Sequence, residues 1–286
     1  MLYLLLSIIS SSLIYITFKL INKYKIKIFP VIIINYITAS FTGFLFRERD
    51  FSVHEIISAD WFYISIIIGI LFISMFYLIG LSTQKAGITV TSISTKMSVV
   101  FPMLFSIIYY AEDIYLLKIL GMILAIIAII LASIKNKLTH PDAKNFIFPI
   151  TLFVGMGIVD SSVKYNQEEF LKDTGAIEST TVVFAVAAII GITIHLLFNL
   201  KSNKELKIST FLLGILLGLA NFGSLYFLIL ALNSSILDSS IIFAVNNTAI
   251  IFISAMVGKS FFKENLSILN WIGVSISIIA IIALSI

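Results

Sequence analysis

Ten apolar runs, each about the 20 residues that a helix needs to cross a bilayer core about 30 Å thick, limit what this chain folds into more than any motif does. They extend from Leu2 to Ile21, Phe29 to Phe46, Trp61 to Leu81, Gly87 to Tyr110, Tyr115 to Ser133, Phe146 to Val163, Ser179 to Leu200, Thr210 to Leu232, Ser239 to Gly258 and Leu266 to Ile286. In hydrocarbon every backbone N–H and C=O must find its partner within the protein, so runs of this length form helices. The alternation over about 10 residues that a membrane β-barrel requires is absent. Composition agrees: 59% of residues are hydrophobic and 12% charged, with a mean hydropathy of +1.10. Soluble domains have about 45–50% apolar and about 25% charged residues. The expected fold class is an all-α, multi-pass membrane protein whose first partner is the lipid bilayer.

Little chain remains outside these runs. The longest connectors, RERDFSVHEIISAD (47–60), KNKLTHPDAKN (135–145) and KYNQEEFLKDTGAIE (164–178), are too short for a soluble catalytic domain. The chain has no cysteine, which excludes disulfides, thiolate metal sites and cysteine nucleophiles. Its 19 basic residues are scattered, which excludes a nucleic-acid surface. The first run lacks a basic leading region and a small-residue cleavage site and ends in FKLINKYKIK, so it reads as a retained helix. Thirteen Lys and Arg fall at one set of connectors and five at the other, which by the positive-inside rule places both termini outside.

The chain aligns with itself. Glu112 and Gly121 recur as Glu264 and Gly273 at an offset of 152. Lys19 and Lys164 close the first and sixth helices, and Gly80-Leu81 and Ala231-Leu232 close the third and eighth. Five helices per half is an odd number, so homologous halves, 1–135 and 146–286, lie in opposite orientations. The usual consequence of such an inverted repeat is a midplane site between halves with alternating access. In these residues the sequence resembles the EamA-type family of the drug/metabolite transporter superfamily. Pro102 departs from that family's pattern, and Ser254 stands at the equivalent place in the ninth helix. The resemblance implies ten helices in two inverted five-helix repeats and a small-molecule carrier of a bacterial inner membrane, often an exporter of amino acids or other metabolites. It also implies cytoplasmic termini, opposite to the lysine count.

Polar residues at membrane depth are the candidate site. Lys96 lies near the middle of the fourth helix, where an uncompensated lysine costs about 2.5–3.5 kcal/mol. Thr89, Ser92 and Thr95 share its face, which is expected to look into a wet cavity. The plainer alternative is a structural lysine paired with a carboxylate or carbonyls. Asp160, the only carboxylate within the expected spans, is read as a proton-coupling group or as the ion-pair partner of Lys96 or Lys164. Asn246 and Asn247 occupy the repeat equivalents of Ser94 and Thr95. With Asn221 they supply amides that bind a polar solute or join helices. Asn35, Ser11 and Tyr77 are weaker candidates for the same role. Lys19 and Lys164 read as interfacial anchors, and Glu112 and Glu264 as caps at the starts of the fifth and tenth helices.

No cofactor or metal site is expected. H-E-I-I-S at His54 lacks the second histidine of a zinc helix, and no G-x-S-x-G or phosphate loop occurs. The expected function is an ATP-independent carrier, not an enzyme, moving a small polar or zwitterionic solute, with a proton as coupling ion at Asp160. The alternatives are an exchanger of phosphorylated solutes, an intramembrane enzyme and a membrane scaffold without transport.

Overall fold

The structure, a computed structural model, describes residues 1–47, 52–111, 113–134, 144–171, 175–199, 207–233 and 239–285. These residues form twelve helices and no strand: α1 (Leu2–Lys23), α2 (Ile28–Leu45), α3 (Val53–Ser58), α4 (Phe62–Lys85), α5 (Ile88–Met97), α6 (Val100–Tyr109), α7 (Leu116–Ser133), α8 (Lys144–Phe170), α9 (Ala176–Asn199), α10 (Ile208–Asn233), α11 (Ser239–Ser260) and α12 (Ile268–Ser285). Helices α5 and α6 are two parts of one crossing, Ile88–Tyr109, so the helices supply ten segments long and apolar enough to span a membrane. The chain is a multi-pass, all-α membrane protein.

Boundaries differ most where polar residues are good helix formers. Helix α8 was expected to end at Val163 and continues to Phe170 through Gln167, Glu168 and Glu169, whose straight side chains favour helix. Helix α3 arises inside the connector 47–60. Ser52 and Glu55 form a capping box there, with Ser52 N–H donating to Glu55 Oε2 at 2.7 Å and Glu55 N–H to Ser52 Oγ at 3.2 Å. Those bonds hold the exposed Glu55 carboxyl below its ordinary value.

The break between α5 and α6 follows from Pro102. A proline has no N–H for the carbonyl four residues back, and its ring clashes with that carbonyl. Four residues back is Ser98, whose carbonyl instead accepts from Phe101 N–H at 2.9 Å, a tighter i to i−3 bond. The crossing is therefore interrupted at Ser98 and Val99, in the middle of the membrane. At the repeat equivalent of Pro102, Ser254, α11 runs on unbroken.

In lipid, helices associate through close packing and small residues more than through burial of apolar area. Helices α7 and α12 form the most extensive pair, and they reach the remaining bundle through α5, α8 and α11. A Cβ added at Gly121 would come 3.2 Å from the Ala280 carbonyl oxygen, and one at Gly273 would come 3.0 Å from that of Ala128. Asn270 fastens the pair by donating to the carbonyls of Ala132 (2.8 Å) and Ile134 (3.0 Å) at the end of α7. The two glycines should respond differently. At Gly273 the atoms in the way are backbone, with Ala132 N at 2.8 Å, whereas at Gly121 the nearest atoms belong to the Leu284 side chain, which can turn aside. Gly273→Ala should lower stability by about 1–3 kcal/mol, the usual cost of overpacking, and Gly121→Ala by less. Melting temperatures in detergent would check the order.

Candidate functional site

The interruption after α5 gathers the deepest polar groups. Ser98 Oγ lies 2.6 Å from the Thr95 carbonyl and 2.7 Å from Asp160 Oδ2 on α8. Its single hydroxyl hydrogen serves one acceptor at a time. Thr95 Oγ1 is 3.0 Å from the carbonyl of Thr91 and 3.1 Å from that of Ser92, so its hydrogen stays on its own helix. Its lone pair therefore accepts from Tyr15 on α1, whose phenolic oxygen is 2.6 Å away. Lys96 is half-buried and feels the charge of Asp160. Among the described residues it makes no ion pair within 4 Å; the recorded ion pair is Lys19 with Glu264. Lys96 and Asp160 are thus neighbours in charge without being locked together. Helix α8 reaches this place because Phe101 packs at Gly157 and stands edge-on to Phe153, 5.0 Å between ring centres.

A second polar chain crosses four helices. The amides of Asn35 (α2) and Asn221 (α10) meet at 3.3 Å, and Ser224 Oγ donates to the Asn221 carbonyl at 2.8 Å. Ser7 Oγ (α1) lies 2.9 Å from the Ser224 carbonyl and 3.1 Å from Asn246 Oδ1 (α11). Asn35, Asn221 and Asn246 are therefore joined to each other or to α1, as helix-to-helix bonds are.

The other expected site residues fall in several places. Ser92 is fully buried and donates to the Thr89 carbonyl of its own helix at 3.0 Å. Tyr77 is 39% exposed and edge-on to Phe29, so it is grouped with α2 and not with Lys96. Ser11 is buried on α1, one turn from Ser7 and from Tyr15, and Asn247 is half-buried beside Asn246. Lys164 is half-buried on α8. Glu112 lies outside the described residues. Sequence reasoning missed Tyr15 and Ser98. A signal for Tyr15 existed: it precedes Lys19 by four residues, as Asp160 precedes Lys164.

Lys19 and Glu264 correct two expectations. Lys19 does not snorkel, and Glu264 does not cap α12. Lys19 Nζ meets Glu264 Oε1 at 2.8 Å. The carboxylate caps α5, accepting from Ile88 N–H at 2.8 Å, Thr89 N–H at 3.5 Å and Thr89 Oγ1 at 3.3 Å. A carboxylate at a helix N-terminus is favourable, but the helix concerned belongs to the other half of the chain.

Helix α1 packs on α4, α5 and α11, and toward the connections 24–27, 86–87 and 261–267 its Lys19 reaches the Thr83 carbonyl and Glu264. Among the described residues no extensive packing joins α8 to α10 or α11, or α9 to α10. Residues 160–165 of α8, 224–230 of α10 and 247–249 of α11 are each unbroken runs of half-buried positions. Asp160 opens the first of these runs. A shallow apolar recess lies between α9 and α10, lined by Ile177, Thr180, Phe222, Leu225, Tyr226 and Ile229.

No family model matches this sequence. An uncharacterized protein of Haemophilus influenzae is similar, 28% identical over 288 residues that cover 98% of this chain and 96% of that protein. The likeness spans all ten crossings.

Proposed function

We propose that this protein is a secondary carrier, ATP-independent, that exports small polar metabolites such as amino acids across a bacterial inner membrane, and that it is an EamA-type member of the drug/metabolite transporter superfamily. The observation that carries the reading is the placement of Lys96 and Asp160 at a mid-membrane helix break. Asp160 is bonded to Ser98, and Lys96, half-buried on the same crossing, makes no ion pair within 4 Å among the described residues. A purely structural pair gains from direct contact, because charges left apart in hydrocarbon retain much of their desolvation cost. Opposite charges held apart at this depth suit a solute that carries both signs.

The inverted repeat is supported by contacts that repeat when the halves are exchanged. Gly121 meets Ala280 and Gly273 meets Ala128, and 280 and 128 again differ by 152. Opposed halves with one site between them are the architecture of carriers that alternate access.

The test is uptake of radiolabelled solutes into proteoliposomes, with and without a pH gradient. It follows a thermal-shift screen against amino acids, nucleosides, sugars and sugar phosphates, since a ligand that prefers the folded state raises its stability. Stabilisation and uptake of zwitterions are expected. Stabilisation by sugar phosphates alone would favour the exchanger, and neither binding nor uptake of any class would remove the carrier reading.

A further inference from the structure

The ion pair between Lys19 and Glu264 joins pieces of both halves at one end of the bundle. Lys19 belongs to α1 and also lies 3.4 Å from the Thr83 carbonyl on α4. Glu264 belongs to the connection after α11, to which its own N–H is tied through the Gly258 carbonyl at 2.9 Å. Its carboxylate reaches the first amides of α5. Four helices thus converge on one carboxylate, and the side chains of Lys19 and Glu264 are only 16% and 11% exposed.

The surroundings are shaped to this carboxylate. A Cβ at Gly87 would lie 2.9 Å from Glu264 Oε1, and one at Gly258 would lie 2.7 Å from Oε2. Gly87 also has φ +107°, a conformation that residues with a Cβ rarely adopt, so its place is fixed twice over. Gly258 has no such backbone reason. It lies inside a helix, where alanine is ordinarily the better residue. Nearby, Thr83 Oγ1 and Gln84 Nε2 are buried with no hydrogen-bond partner. These are polar groups that gain from water if this end opens.

We propose that Lys19 and Glu264, seated by Gly87 and Gly258, form a latch that holds this end of the bundle shut, and that the protein opens here by parting α11 from α1 and α5. This inference rests on the carrier reading, since only a molecule that works through both ends needs one of them to release.

The chain has no cysteine, so Thr83→Cys creates a single thiol beside the latch. Its labelling by a membrane-impermeant methanethiosulfonate reports opening directly, without transport. A second single thiol, Ser65→Cys, sits buried at the far end of α4 and serves as the control. Labelling of Thr83→Cys should quicken at least tenfold when Lys19→Met, Glu264→Gln or Gly258→Ala is added, and labelling of Ser65→Cys should not. Gly258→Ala is the telling variant, because it keeps both charges and favours the helix while displacing the carboxylate. It also remains available if the charge variants fail to fold. An unchanged rate in any folded variant, or an equal rise at both thiols, would overturn the latch. Uptake measured on the same samples separates the two ideas. Normal solute transport with unchanged labelling sinks the latch and spares the carrier. Quickened labelling in a protein that moves no solute does the reverse.

Discussion

With Lys96 replaced by Met, the protein should insert and melt like the parent but lose solute uptake almost completely. Met keeps the length of the stem and removes the charge. If Lys96 and Asp160 were in direct contact, the substitution would strand a buried carboxylate at a cost of about 3–5 kcal/mol, and yield would fall. The geometry argues otherwise, because Asp160 holds its hydrogen bond to Ser98 and makes no direct ion pair with Lys96. Removing one partner of a desolvated charge pair between protein and solute costs about 2–5 kcal/mol, roughly 30- to 3,000-fold in affinity. Lys96→Arg should retain part of the affinity. Melting curves and uptake by the purified variants check both halves of this expectation. Equal binding of a solute series by parent and Lys96→Met, at normal yield, would leave the lysine without the role assigned to it.

Asp160→Asn should fold and transport, and should lose its response to a proton gradient. The hydrogen bonds around Ser98 give the reason. Ser98 has one hydrogen for two acceptors, the Thr95 carbonyl and Asp160 Oδ2. With a proton on Asp160, the carboxyl donates to Ser98 and Ser98 donates to Thr95, so every group is satisfied. An asparagine at 160 donates to Ser98 in the same way and cannot release its proton, which makes it a fixed copy of the protonated form. Uptake is to be compared with and without an imposed pH gradient. A variant that responds to the gradient as the parent does would take the coupling role from Asp160.

The latch and the central site divide α5 between them. Its first turn is held by Glu264 and its last by Tyr15 and Asp160, the last two reaching it from α1 and α8.

Hydropathy alone decided the ten crossings, because a chain in lipid has few ways to satisfy its backbone and the length of each run is set by bilayer thickness. It also decided that Lys96 and Asp160 are exceptional, since each carries an insertion cost that needs compensation. The offset of 152 was legible too, though not its meaning. Gly121 and Gly273 recur because each faces the other's helix, a fact visible only once α7 and α12 are seen together.

What the sequence did not decide is which polar group answers which. Glu264 read locally as a cap for the helix that follows it, and it caps α5, 176 residues away from its partner Ile88. Lys19 read as an interfacial anchor, and its charge is taken up by that same glutamate. Tyr15 had no assigned role in the sequence, and in the fold it stands against Thr95. Periodicity, length and insertion cost act along a single helix, so one chain suffices to read them. Hydrogen bonds and ion pairs between helices depend on rotation and depth, which are fixed by the packing of small residues across the bundle, and for that reason only the tertiary structure could assign them.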